Sequence, residues 1–209
     1  MKLLFVFIIT ITINSFASAV DFTKIDTPYY GKARVSDNGV KPVLFDMYFD
    51  GGSKVKLIGP PPKGASGDIH LIGDMATSQY LFWVENDPKK IAMTMNPKDF
   101  AKSLGVDISM LLSNGTKLGA EKMIGENCDR WRLDITAPKV KKDLKHVIEA
   151  CVTSDGIQLQ ASENNRITYE LLELKRGPQS KDYFVFPEGY KVIDMTAIME
   201  KLQGLKLKD

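Results

Sequence analysis

Hydrophobic and polar residues alternate in short segments along most of the chain, and turn-forming residues separate these segments. The pattern is clearest over 43–49, where every second residue from Phe45 is apolar. The turn Asp50-Gly51-Gly52-Ser53 follows, and 54–58 returns as a second alternating segment. This arrangement predicts a β-hairpin.

The same alternation recurs through the rest of the chain. It predicts further strands over 30–35, 69–72, 79–85, 90–95, 117–124, 128–136, 146–153, 157–162 and 166–174, and a short strand or edge segment over 182–186. We therefore expect about ten or eleven strands.

Two segments have helical rather than alternating spacing. Over 97–113, Asn96 is a candidate cap, Pro97 occupies the first helical position, and apolar residues recur at 100, 104, 108, 111 and 112. Over 194–207, Asp194 is a candidate cap and a one-sided apolar stripe follows it. These patterns predict two amphipathic helices.

A sheet with this many strands is expected to curl rather than stay flat. Its apolar inner face requires a cover, and the two helices are the natural candidates. The sequence therefore predicts a mainly β fold, a strongly curved antiparallel sheet that forms an incomplete barrel with two covering helices. The residues after the first nineteen, 20–209, fit a single domain.

Residues 1–19 have the order of a secretory signal peptide. Lys2 supplies a positive charge, 3–13 is uncharged and apolar, and Ala17-Ser18-Ala19 has the small-x-small pattern that a signal peptidase recognises. The apolar run is shorter than the ~20 residues that span a bilayer. We expect cleavage after Ala19 and a soluble protein that works outside the cytoplasm, without a membrane span.

Charge and cysteine content narrow the possible partners and chemistry. The formal net charge of +2 argues against a nucleic-acid partner, since such proteins usually carry a strong basic excess. The only cysteines, Cys128 and Cys151, are expected to form a disulfide in an oxidising compartment, with two free thiols as the alternative.

The disulfide suggests a register for the two strands that carry it. If Cys128 lies directly opposite Cys151, then Trp131 lies opposite Ile148 and Arg130 opposite Glu149. One face then stays apolar and the other gains an opposite-charge pair, which supports the disulfide.

No constellation typical of an enzyme or a metal site is evident. His70 and His146 are the only histidines, and each is interpreted as a strand or turn residue. We expect no metal, no cofactor and no catalytic residues.

Large, soft apolar side chains are the remaining candidates for function. Methionine adapts to irregular apolar surfaces, so part of this set can line a cavity for an acyl chain, with ordinary core packing as the alternative. The ligand-binding candidates on the two predicted helices are Phe100, Leu104, Met110, Leu111, Met195 and Met199. The same group of large, adaptable apolar side chains includes four residues of the predicted strands: Phe82, Trp83, Met93 and Met95.

Three motifs resemble those of an uncharacterised family of bacterial envelope proteins. They are 119–131, with the pattern G-x-E-x-x-x-G-x-x-C-x-x-W; 153–159, which resembles T-x-D-G-I-P-L with Gln158 in place of proline; and 184–190, with the pattern F-x-x-P-x-G-Y. That family is related to the LolA/LolB-like lipoprotein carriers. The resemblance implies a half-barrel of about eleven strands capped by helices, an apolar cavity and a bacterial periplasmic location.

Two functional hypotheses follow from these observations. The first is a non-enzymatic periplasmic or secreted binding protein for an apolar ligand, a lipid or the acyl chain of a lipoprotein. The alternative is a structural or protein-interaction component of the bacterial envelope without a lipid ligand. The sequence identifies neither the ligand nor the oligomeric state.

Overall fold

The computed structural model describes residues 26–36, 41–62, 64–96, 115–136 and 145–195. Within these residues the chain forms twelve strands and one short 3-10 helix, Lys181–Phe184. The strands are β1 (Tyr29–Val35), β2 (Val43–Phe49), β3 (Lys54–Gly59), β4 (Ile69–Asp74), β5 (Gln79–Val84), β6 (Ile91–Met95), β7 (Gly115–Met123), β8 (Glu126–Thr136), β9 (Lys145–Val152), β10 (Gln158–Glu163), β11 (Arg166–Arg176) and β12 (Lys191–Asp194).

The strands form one open sheet with the order β12-β6-β5-β4-β3-β2-β1-β11-β10-β9-β8-β7. Within it β3 to β6 and β7 to β11 pair antiparallel with their neighbours, as expected, whereas β12 runs parallel to β6. The prediction of a mainly β, antiparallel sheet is therefore confirmed, with one strand more than the upper end of the expected count. The curvature and the incomplete barrel stay predictions.

The chain divides into two compact units. The first contains Gly31–Leu44 and Ser109–Lys175, and thus β7 to β11; the second contains Phe45–Ile108 and Arg176–Asp209, and thus β3 to β6 and β12. A single domain over 20–209 stays a prediction. None of the described helices is long and apolar enough to cross a membrane.

The predicted hairpin is present as β2 and β3. The Asp50 carboxylate accepts hydrogen bonds from the backbone N–H groups of Gly52 and Lys54, at 2.8 and 2.9 Å. Gly51 has a φ of 82°, a conformation that glycine adopts without steric cost. The turn chemistry therefore fixes the register that places Phe49 opposite Val55.

The predicted disulfide joins Cys128 and Cys151 in the first unit, with a Cα–Cα distance of 5.5 Å. The predicted register of β8 against β9 was wrong by two residues, because Arg130 rather than Cys128 lies opposite Cys151. Arg132 consequently lies opposite Glu149, with Nη2 2.6 Å from Oε1, and Arg130 reaches Glu149 diagonally at 3.9 Å.

Two predictions near the C-terminal end require correction. The segment expected as a strand over 182–186 begins as the 3-10 helix, because the Ser180 side chain accepts a hydrogen bond from the Asp182 N–H and caps it. The strand β12, which was not expected, follows at Lys191–Asp194.

Most of the two predicted covering helices, residues 97–113 and 196–207, lies outside the described residues. The part of the chain that the structure describes contains one complete helix, the short 3-10 helix, and shows no covering helix.

Candidate functional site

An apolar row crosses six strands, and all of its members lie in the second unit. The register places each member directly opposite the next, so their side chains share one face. From β2 to β12 the members of this row are Met47, Leu57, Leu71, Phe82, Met93 and Ile193.

Alternation extends this row into a larger surface, here called the apolar face. Its other members are Phe45, Phe49, Val55, Gly59, Ile69, Gly73, Tyr80, Val84, Ile91 and Met95. Phe45, Leu71, Phe82 and Met95 are buried, whereas Met93 is half-buried. The face thus combines packed aromatic rings with less buried, flexible thioether side chains.

Two glycines let aromatic rings of the apolar face lie against the backbone. A Cβ atom on Gly59 would overlap the ring of Phe45, and one on Gly73 would be 2.5 Å from the ring of Tyr80. Burial raises the pKa of Tyr80 to about 12, so its hydroxyl stays neutral at physiological pH. The members listed on β2 to β6 therefore carry no ionised group; the same alternation places the exposed Lys191 of β12 at the edge of this face, opposite Ile91.

Of the ligand-binding residues predicted from the sequence, only Met195 is described. It is half-buried and follows directly after β12. The other five lie outside the described residues: Phe100, Leu104, Met110, Leu111 and Met199. Three of the large apolar residues that the sequence places on strands lie together on the apolar face: Phe82, Met93 and Met95.

Trp83 lies on the opposite face of β5 and belongs to a polar cluster with Lys56 and His70. The Lys56 Nζ lies 3.9 Å from the centre of the Trp83 ring, and the imidazole of His70 stacks on the indole with ring centres 5.2 Å apart. We call these three residues the Lys–His–Trp cluster.

Lys56 is an unusual member of this cluster because it is a buried cation. The residue is only 4% exposed, and no ion pair of Lys56 is found among the described residues. Desolvation lowers the pKa of its ammonium group to about 8, although the charge of Glu85 partly opposes that shift.

His70 is half-buried, and both of its ring nitrogens are shielded from solvent without a hydrogen bond. The closest acidic oxygen, on Glu85, is 3.9 Å from Nε2. Desolvation lowers the pKa of the imidazole, and the positive charge of Lys56 lowers it further. The interpretation of His70 as a strand residue is confirmed, since it lies in β4.

Residues 183–190, here called the strap, pack on Trp83 of this cluster. Phe186 and Tyr190 contact Trp83, with ring centres 5.3 and 6.4 Å apart. The Tyr190 hydroxyl donates a hydrogen bond to the backbone carbonyl of Val84 at 3.0 Å, and Tyr183 stacks on Tyr48 at 4.2 Å. The 184–190 motif of the sequence is therefore the segment that packs on Trp83 of the Lys–His–Trp cluster.

Sequence reasoning did not find this cluster. Lys56 has a polar side chain within an alternating strand, a pattern typical of a solvated face. The one available signal was the 184–190 motif, whose aromatic residues require a surface to pack against. Among the described residues, no group of three or more histidine, cysteine, aspartate or glutamate side chains could hold a metal ion.

No family model matches this chain, and no curated protein matches it. Solved structures resemble it at low identity. MucB, in the complex of MucA and MucB from Pseudomonas aeruginosa, is 13% identical with a TM-score of 0.52, over 87% of this chain and 62% of that chain. An uncharacterised conserved protein from Thermus thermophilus is 10% identical with a TM-score of 0.52, over 82% of this chain and 93% of that chain.

PNGF-II is a third similar structure, 12% identical with a TM-score of 0.51. The match covers 86% of this chain but 33% of PNGF-II, so this chain spans about a third of that protein and less than two thirds of MucB. At these identities the likeness shows the fold alone.

A LolA-superfamily protein is also among the similar structures. It is NE2245 from Nitrosomonas europaea, 8% identical with a TM-score of 0.33, over 77% of this chain and 90% of that chain. A LolA-like protein, the class of protein that the sequence motifs resemble, is therefore among the similar structures. A TM-score below 0.5 supports no conclusion about function.

Proposed function

We propose that this chain is a non-enzymatic binding protein for an apolar ligand, a lipid or the acyl chain of a lipoprotein. The observation that supports the proposal is the apolar row from Met47 to Ile193, which extends across six strands without a polar member. An acyl chain laid along such a row gains about 0.8 kcal/mol for each methylene removed from water.

The proposed ligand lies between the apolar face and the two helices predicted over 97–113 and 194–207. The helix residues that would contact it are Phe100, Leu104, Met110, Leu111, Met195 and Met199. In this arrangement the half-buried Met93 of the sheet offers flexible contact surface, because a thioether chain fits ligands of different shape.

The proposed location is the bacterial periplasm or the extracellular medium. It rests on the signal-peptide pattern of 1–19 and on the resemblance to envelope proteins. The mature chain would begin at Val20, which N-terminal sequencing of the exported protein can check.

A structural role in the envelope without a ligand is the second candidate. The observation that favours it is the burial of Phe45, Phe49 and Phe82, which is typical of an ordinary packed core. The two candidates differ in whether the face accepts an added acyl chain.

Substitution of Met93 by glutamine separates the two candidates. Because the amide places a polar group on the apolar row, we expect Met93→Gln to weaken binding of a fluorescent fatty acid about fivefold, or ~1 kcal/mol. Fluorescence titration measures this effect. Native mass spectrometry of the untreated protein should also show a co-purified lipid.

The matched control is Thr94→Gln, the next residue of β6, which is half-buried like Met93 but faces the other side of the sheet. We expect this variant to bind the probe like the unsubstituted chain. Equal weakening by both variants, or no binding by the unsubstituted chain, would favour the structural role.

A further inference from the structure

The strap is held lightly against the sheet. Val185, Glu188 and Gly189 are exposed, and Phe186 and Tyr190 are only half-buried. Segments with few buried contacts open at a lower free-energy cost than the core. The strap is therefore a part of the second unit that can detach from Trp83 at a modest cost in free energy.

The groups beneath the strap make a second positive charge costly. The Lys56 ammonium already lies against Trp83, and both ring nitrogens of His70 are buried without hydrogen bonds. A neutral His70 is compatible with this environment. A protonated His70 would add a second cation against the Trp83 ring, where water has little access.

We propose that the strap is an acid-released cover: when His70 takes up a proton beside Lys56, Phe186 and Tyr190 leave Trp83 and water reaches both cations. The closed arrangement belongs to neutral pH and the released one to acid pH.

The charged groups that face His70 come from three elements. Lys56 of β3 opposes protonation, whereas Glu85, which follows β5, and Asp68, which precedes β4, favour it. Desolvation by burial is the largest influence and acts in the same direction as Lys56. The strap itself places aromatic rings over the cluster, while its Glu188 is exposed.

The direction of the pH dependence follows from these influences. The pKa of His70 is lower in the closed state than the ordinary value near 6.5 that a solvated imidazole regains after release. The closed state is therefore fully favoured above that ordinary value and loses stability as the pH falls below it. Between neutral and acid pH, the equilibrium constant for opening of the strap should increase about tenfold for each unit by which the closed state lowers the pKa of His70.

Release of the strap would also affect the strand that follows it. β12 begins directly after Tyr190, and the Lys191 N–H donates a hydrogen bond to the Lys90 carbonyl at 2.7 Å. β12 is a short edge strand with a single hydrogen-bonded neighbour in the described sheet, β6. We therefore expect the strap and β12 to open together.

Hydrogen exchange of the full chain at pH 7.5 and pH 5, read by mass spectrometry and corrected for the intrinsic rate, tests the proposal. Peptides covering 183–194 should lose protection at pH 5, whereas peptides from β4 and β5 should keep it. His70→Gln should abolish this acid effect, and His146→Gln, which replaces the only other histidine, should retain it.

Two further variants keep the test decisive if glutamine disturbs the packing. His70→Phe preserves a ring that can stack on Trp83 but cannot be protonated, so its strap should stay protected at both pH values. Lys56→Met removes the neighbouring cation, so acid should release the strap less. An unsubstituted chain without acid-induced exchange, or a His70→Phe variant that opens in acid like the unsubstituted chain, would overturn the proposal.

Discussion

Substitution of Cys128 by serine is expected to lower the free energy of unfolding by about 3 kcal/mol in oxidising buffer. The disulfide joins residues 23 positions apart, so it restricts the unfolded chain considerably. Both half-cystines are buried, at 3% and 0% exposure, and the bridge therefore connects β8 and β9 within the packed part of the first unit. Chemical denaturation measures the loss.

The control for this prediction is the same measurement with reductant present. The unsubstituted chain then also lacks the bridge, so the two proteins should unfold at similar denaturant concentrations. An equally large difference in both buffers would contradict the prediction, because it would arise from the lost packing of the sulfur rather than from the crosslink.

Lys56→Met is expected to stabilise the protein by about 1–2 kcal/mol at pH 7, because the ammonium group is desolvated in the folded state and only partly compensated there. The folded chain holds this group with a pKa of about 8 instead of 10.5, so keeping it charged in the folded state has a cost. Methionine fills a similar volume without a charge. The contact of Nζ with Trp83 offsets only part of the desolvation cost.

The sign of the pH dependence provides the check. Because the folded pKa is lowered, the unsubstituted chain should gain stability as the pH rises from about 8 to 10.5, where Lys56 becomes neutral in both states. The advantage of Lys56→Met should shrink over that range in urea denaturation. Lys54→Met, an exposed lysine on the same strand, should change little. Destabilisation by Lys56→Met at pH 7 would contradict this account of Lys56.

The alternating pattern predicted which residues share a face, but it could not fix how neighbouring strands are aligned. Side chains repeat every two residues along a strand, so a shift of two leaves every side chain on its own face. The register of β8 and β9 shows this limit. Trp131 and Leu133 share one face with either alignment, whereas the partner of Arg130 changes from Glu149 to Cys151.

The C-terminal end was difficult to predict for a different reason. The apolar residues Val192, Ile193 and Met195 fit the start of a helical stripe as well as a short strand, and the parallel pairing of β12 with β6 joins residues far apart in the chain. Short apolar segments are ambiguous between helix and strand from their pattern alone. Long-range pairing decides the outcome here.

Only part of the candidate site could be found from the sequence. The soft character of Phe82 and Met93 was evident, but their placement in one apolar row depends on the registers of five strand pairs. The burial of Lys56 could not be predicted, because a lysine in an alternating strand is usually exposed. The strap that packs on the neighbouring Trp83 lies far along the chain and is recognisable only in the folded structure.

Methyl NMR with a spin-labelled fatty acid tests most directly whether the apolar face holds an acyl chain. We expect the label to broaden the methyl signals of Met47, Met93 and Met95, which lie on that face. Met75, in the turn after β4, should be broadened less. No broadening at a saturating concentration of the fatty acid, or broadening that is stronger at Met75 than at Met47, Met93 and Met95, would contradict the proposed binding function.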